Sequence, residues 1–451
     1  MTQARGSRLV HAPRNAADFL RTHIVDFLRM HIVDFLRMHI VPEWTVLGVD
    51  RSNVCALNLR GCVNAANDGG MPGPLHGITI VELAGIGPGP FAGMLLSDMG
   101  ATVIRVERAQ NVRGGDPANP PKDILARGRK NIGVDLKNPD GIETVMRLID
   151  RADGLFEGFR PGVTERLGLG PDACLARNPK LVYGRMTGWG QDGPYAMAAG
   201  HDINYIALAG ALEPMGRVGQ KPTPPLNMVG DFGGGGMFLA FGMVCALLEA
   251  KSSGKGQVVD AAMVDGSATL MSMFHGMAAA GAFMPERGTN LLDTGAHFND
   301  AYETRDGKYI SIGSIEPQFY AELRRLAGLT ESSWDTQMDR NRWPGQKDEI
   351  AKVFLTKTRD EWCALMEHTD VCFAPVLTLA EAPSHPHNVA RKTFTEIAGL
   401  TQASPAPRFS RTTAEIQGPP SHAGQDTDAT LALMGFGTDE IASLRASGAV
   451  K

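Results

Sequence analysis

Four side chains able to move protons stand where the chain leaves a glycine-bearing loop or enters a helix. His201 and Asp202 follow a glycine in GHDINY (200–205), Asp231 lies in GDFGGGGM (230–237), and Glu316 lies in IEPQFY (315–320). An imidazole titrates near ~6.5, so it takes or gives a proton at neutral pH. A carboxyl does the same where its surroundings raise its pKa. Each position also has an ordinary structural reading. His201–Asp202 and Asp231 suit helix caps, and an acid such as Glu316 at a helix start is common dipole chemistry. The residues alone leave both readings open.

Two glycine-rich loops invite a ligand. Gly87-Pro88-Gly89-Pro90-Phe91-Ala92 has the form GxGxxA, and Glu107 follows twenty residues after Gly87. Both are elements of a dinucleotide fingerprint, which makes an NAD-dependent oxidoreductase a rival reading. Pro88 and Pro90, however, have no N–H to offer a pyrophosphate. GDFGGGGM lacks the Gly-Lys-Ser/Thr of a P-loop. Arg105, Arg108, Arg113, Arg127, Arg129, Arg160 and Arg166, with Lys130 and Lys137, are close in sequence. They suit either a solvated surface or a ligand with several phosphates.

The elements that must hold these residues read as α/β. ITIVELA (78–84) is a buried strand, a helix follows Pro90 and stops at Gly100, and TVIRVE (102–107) is a second strand. Strand, helix and strand at this spacing make a parallel βαβ unit. Further units follow in GIETVMRLIDRA (helix), GLFEG (strand), LVYGRMTGWG (strand into loop), 237–250 (helix) and 257–264 (strand). The uncharged stretches 232–248 and 266–285 are expected as buried helices. The first falls short of the ~20 residues of a membrane span, and the second is diluted by polar residues. A polar linker near 286–300 precedes a strand at 307–315 and helices at 316–329 and 359–369. Residues 383–425 read as an extended return segment, and 428–448 as one closing helix.

Composition narrows the chemistry. The 451 residues are 43% hydrophobic and 21% charged, with a net charge of −5. That supports a packed core and argues against nucleic acid as the main partner. The six cysteines form no CxxC pair, so neither a disulfide framework nor a metal or redox motif is expected. Residues 1–70 differ from the rest. They contain eight arginines, six acids and no lysine, and 18–41 repeat one octad three times, DFLRTHIV, DFLRMHIV, DFLRMHIV. Successive octads on a helix are rotated by about 80°, so no fixed apolar stripe forms. The near-identity points to a short tandem duplication. The segment reads as a dispensable extension, with the working chain starting at Met71.

Taken together, VELAGIGPGPFAGMLLSDMGATVIRVE, EGFRPGVTERLGLG, RMTGWGQDGP, GHDINY, GDFGGGGMFL and SSGKGQVVDAAMVDG resemble the α-methylacyl-CoA racemases of the family III CoA-transferase fold, the bacterial members above all. The likeness runs from about Gly73 to Arg411. It implies a Rossmann-like large domain (71–290), a small α+β domain (300–385) and a return segment (386–451). It also implies a ring-shaped subunit that forms an interlocked homodimer, with each active site between the large domain of one subunit and the small domain of the other. By motif, His201 matches the family's histidine base, Asp231 its carboxylate acid/base, and Glu316 the acid that pairs with the histidine. Arg108, Val134-Asp135-Leu136-Lys137, Gly158-Phe159-Arg160, Arg166 and Gly200, His201, Asp202, Ile203, Asn204 and Tyr205 match the CoA contacts. Those of Val134 and Phe159 are expected to be made largely by backbone. Met263, Met271, Met273, Met277 and Met284 match a methionine-rich acyl surface. Glycines 233–236 are expected to leave room for the substrate α-carbon to swing.

The implied reaction interconverts (2R)- and (2S)-2-methylacyl-CoA thioesters, in branched-chain lipid metabolism, by two-base proton transfer through an enolate. Coenzyme A is part of the substrate, no other cofactor or metal is implied, and no membrane partner is expected. The cytoplasm is the expected compartment. The alternatives are a CoA-transferase of the same fold with Asp202 as nucleophile, the NAD oxidoreductase, and an inactive CoA-binding protein.

Overall fold

The computed structural model describes residues 73–451, so the octad repeat, the extension 1–70 and the expected start at Met71 lie outside the described residues. Strand β1 (Thr79–Leu83) leads through a glycine-proline turn into α1 (Pro88–Asp98), with Pro88 in the first turn, where its missing N–H costs nothing. Strand β2 (Thr102–Arg108), β3 (Lys130–Val134), α2 (Pro139–Ile149), β4 (Gly154–Glu157), α3 (Val163–Arg166), α4 (Pro171–Arg177) and β5 (Val182–Thr187) follow. After α5 (Asp202–Leu208) comes a nine-residue π-helical turn, Met228–Gly236. It continues without a break into α6 (Met237–Ser253), followed by β6 (Gln257–Ala262), α7 (Met263–Leu270) and α8 (Ser272–Ala279).

The six strands pair in the order β3-β2-β1-β4-β5-β6, all parallel. Helices cover both faces, so strand residues of both parities are buried. Ile80 and Val103 pack with Leu96 of α1 and Leu239 and Met243 of α6. Val81 and Leu83 pack on the other face with Val145 and Leu148 of α2 and with Leu431 and Ile441 near the C-terminus. The strand order reverses between β1 and β4, and a crevice opens beyond the carboxyl ends of such strands.

A separate core lies at 296–371. Antiparallel β7 (Asn299–Glu303), β8 (Tyr309–Gly313) and β9 (Phe373–Val376) pack with α9 (Pro317–Ala327), α10 (Trp343–Phe354) and α11 (Arg359–Met366) around Phe298, Tyr320 and Trp362. Arg217 reaches Asp300 of β7 at 2.8 Å, as does Lys347 of α10.

Three expectations need correction. The return segment is not merely extended: it folds α12 (Pro386–Arg391) and the hairpin β10–β11 (Phe394–Ile397, Leu400–Ala403). The closing helix is two helices, α13 (Thr427–Leu433) and α14 (Thr438–Ala446). Gly435 adopts φ +87° between them, a conformation that stops a helix. The helices of 228–279 are not simply buried. The run Met228–Ser253 is 26 residues, long and apolar enough by composition to cross a membrane. Its Leu239, Met243, Ala246 and Leu247 face the core, whereas Phe241 is 69% and Leu248 71% exposed, and α8 has no buried residue.

Two buried ion-pair clusters tie the large sheet to its neighbours. Glu82 on β1 is fully buried and accepts hydrogen bonds from Arg105 and, at 3.1 Å, from Arg129. Asp98 pairs with Arg127, which also donates to Gln402 Oε1 and Ala403 O at 2.8 Å and so ties β11 to α1. Removing one member of a buried pair leaves an uncompensated charge and costs about 3–5 kcal/mol. Glu82→Ala leaves the Arg129 guanidinium without a carboxylate and Arg105 with Glu107 alone, and is expected to lose about that much in equilibrium urea unfolding. A loss below about 1 kcal/mol would contradict this reading of the network.

Candidate active site

The crevice at the reversal point has a volume of about 590 Å³. Its walls are the turn after β1 (Gly85–Pro90), the loop after β4 (Gly158–Pro161), the loop after β5 (Gly188, Trp189) and the segment Ala198–His201. His201, Asn204, Tyr205, Asp231 and Met263 also face it.

His201 stands at the residue before α5. Its imidazole makes no capping bond. Its backbone N–H instead donates to Asn204 Oδ1 at 3.0 Å, which leaves the ring exposed to the crevice. The helix-cap reading of this side chain is therefore not what the fold uses. Tyr205 locks the loop by donating to Gly200 O and packing edge-on to Trp189.

Asp231 belongs to the π-helical turn, a rare geometry found often at functional sites. Its Oδ2 accepts from Asn227 Nδ2 at 3.0 Å, and its backbone N–H donates to Asp202 Oδ1 at 2.7 Å. Burial raises its pKa, and the nearby Asp202 charge adds to the rise; the Asn227 bond and His201 oppose it. A carboxyl so raised suits an acid that must sometimes carry a proton. Gly87, at φ +69°, lies against this carboxyl: a Cβ there would come 3.2 Å from Oδ2, tighter than an ordinary contact.

The glycines of this turn do not leave open space, contrary to expectation. Gly234 abuts the backbone of Ser267, Gly235 lies against Pro88, and a Cβ at Gly236 would come 2.7 Å from Pro88 O. They allow close packing on α1 and α7.

The other predicted positions divide. Gly158, Phe159, Arg160, Gly200, His201, Asn204 and Tyr205 share the crevice, and Arg160 is exposed. Arg108 and Val134–Lys137 lie farther along the same edge of the sheet, with Arg108 in register with Val134. Arg108, Lys137 and Arg166 are exposed, and the Arg166 guanidinium lies near Gly162. Ile203 and Asp202 do not line the crevice, and Asp202 is 6% exposed. Of the two positions expected to contact CoA through backbone, Phe159 already donates its N–H to Glu157 Oε2 at 2.6 Å. Arg105, Arg127 and Arg129 are buried in the ion pairs described above, so the phosphate reading of the arginine cluster shrinks to its exposed members. Of the five methionines only Met263 lines the crevice. Glu316 precedes α9, exposed, and among the described residues nothing joins it to His201 within the chain.

Residue typing missed Asn227, whose position four residues before Asp231 was the available signal. It also missed Glu157, buried beside Arg185 and pushed up to about 7 chiefly by burial. The NAD reading loses its anchor as well. Glu107 is occupied by Asn111, Arg108 N–H and Arg105, and prolines fill the first turn of α1.

Fold and crevice define a doubly wound α/β protein whose imidazole and raised carboxyl share one crevice at the switch point. The chain belongs to the CoA-transferase family III, whose description matches residues 75–427. It is 44% identical over 380 residues to the mouse alpha-methylacyl-CoA racemase, covering 84% of this chain and 97% of that one. The human alpha-methylacyl-CoA racemase is 42% identical over 373 residues, covering 82% and 96%. A CAIB/BAIF family protein from Brucella suis superposes with TM-score 0.70 at 25% identity, over 81% of this chain and 100% of that one.

Proposed function

We propose that this enzyme is an α-methylacyl-CoA racemase, interconverting (2R)- and (2S)-2-methylacyl-CoA by two-base proton transfer. The observation that carries this reading is the pairing, in one crevice, of an uncapped His201 with an Asp231 carboxyl raised by burial. The only acidic C–H of the substrate is C2, beside the thioester carbonyl. Inversion there needs a base on one side and an acid on the other. For one enantiomer His201 accepts the C2 proton and protonated Asp231 delivers one to the opposite face; for the other the roles exchange. The enolate oxygen is received by backbone N–H near Asp202. Exposed Arg108, Lys137, Arg160 and Arg166 hold the CoA phosphates. The transferase reading gives Asp202 the attacking role, and its buried carboxylate outside the crevice weighs against that.

Glu316 pairs with His201 across a homodimer in this reading. The uncovered apolar stripe of α6 supports a second copy: Met237, Phe241, Val244 and Leu248 recur on one exposed face. Covering side chains of this kind contributes about 1.5–3 kcal/mol each. Free cysteines Cys174, Cys245, Cys363 and Cys372 among the described residues fit a reducing compartment, and we place the enzyme in the cytoplasm.

A single enantiomer of a 2-methylacyl-CoA incubated with the enzyme in heavy water is expected to gain deuterium at C2 and to yield the other enantiomer, with no acceptor acid or NAD. Absence of exchange across several acyl groups would overturn the racemase reading. Leu248→Glu is expected to halve the mass in sedimentation equilibrium and to cut turnover at least tenfold. A variant that stays dimeric and fully active would remove this face from the interface.

A further inference from the structure

We propose that Asp202 is a positioning residue for Asp231: its Oδ1 holds the backbone of the turn that carries Asp231 and sets a second carboxylate beside it. This rests on the reading of Asp231 as an acid/base, and it gives a distinct role to the carboxylate that the transferase reading would make a nucleophile.

The geometry is specific. Asp202 opens α5, yet its side chain turns away from the crevice and accepts the Asp231 N–H at 2.7 Å. Its Oδ2 is buried with no hydrogen-bond partner among the described residues. The carboxylate fits there because residue 230 is glycine: a Cβ at Gly230 would run into Asp202 Oδ1. One short bond therefore links the helix after His201 to the π-helical turn bearing Asp231. It also fixes a negative group beside the second proton carrier.

A buried like charge disfavours the ionised form of its neighbour. The titratable groups facing Asp231 are His201, Asp202 and Tyr205. Asn227 binds its Oδ2, Gly87 of α1 lies against it, and Arg160, from the loop after β4, faces Tyr205. Of these, Asp202 pushes Asp231 up and His201 pulls it down. A two-base enzyme works only while the pair holds one proton between its members. The proton must also rest on Asp231 for part of the time, since otherwise one direction lacks its acid. Without the Asp202 charge Asp231 would keep its proton less readily.

The test compares wild type, Asp202→Asn and Asp202→Ala by C2 deuterium exchange across pH. Asn keeps an oxygen acceptor for the Asp231 N–H and removes the charge. The acid limb of its profile is expected to move to lower pH, with kcat/KM on the plateau falling about tenfold as protonated Asp231 becomes rarer. Asp202→Ala also loses the anchor and is expected to fall at least tenfold further, with KM for the thioester within twofold of wild type. An unmoved acid limb in Asp202→Asn overturns the proposal. So does a loss beyond a thousandfold in folded Asp202→Asn protein that still binds CoA, which is the behaviour of a nucleophile. Should the variants fail to fold, wild type decides. Treated with acyl-CoA and hydroxylamine, it is expected to form no hydroxamate at Asp202, and finding one overturns the positioning role. Wild type that shows no C2 exchange at all sinks the racemase reading instead, so the two failures are told apart.

Discussion

The structure depends on how closely a π-helical turn can lie against its neighbours. Asp231 reaches the crevice because the turn from Met228 to Gly236 presses onto the start of α1 and onto α7, with glycine at each contact. Side chains at 234, 235 or 236 would push the turn off Ser267 and Pro88. The carboxyl would then leave both Asn227 and the imidazole-bearing loop. Gly87 meets the same constraint from the other side, since its positive φ and missing side chain let α1 begin directly under the carboxyl. The glycine-rich motifs serve packing, and packing places the acid.

Charge is divided between interior and rim. Glu82 with Arg105 and Arg129, and Asp98 with Arg127, knit β1, β2, α1 and the strand edge together inside the protein. Arg108, Lys137, Arg160 and Arg166 remain at the surface, the first three at or just beyond the carboxyl ends of β2, β3 and β4, where a ligand of a doubly wound fold lies. Arginines that are neighbours in sequence therefore do unrelated work, and only burial tells them apart.

Much of the fold is legible in the sequence because the parallel strands carry unbroken apolar runs and the turns carry glycine and proline. The strands of β1, β2, β4 and β5 fall within a residue or two of expectation. The split of the last helix at Gly435 and the β10–β11 hairpin were not legible, since neither has a strong apolar period. At the site, residue type makes His201 and Asp231 eligible as proton carriers, and Asp202, next to His201, equally so. Only the fold shows that its carboxylate turns inward. The outward apolar face of α6 was hidden for a related reason: its apolar residues surround the helix, so composition reads as burial on every side.

The central claim is that His201 and Asp231 each serve one enantiomer. The direct measurement is C2 proton exchange in heavy water, with each pure enantiomer of a 2-methylacyl-CoA, by His201→Ala and by Asp231→Ala. The account predicts that neither variant interconverts the enantiomers. Each still exchanges the C2 proton of one enantiomer, and the two variants act on opposite ones. Exchange of the same enantiomer by both, or interconversion near the wild-type rate by either, would contradict it.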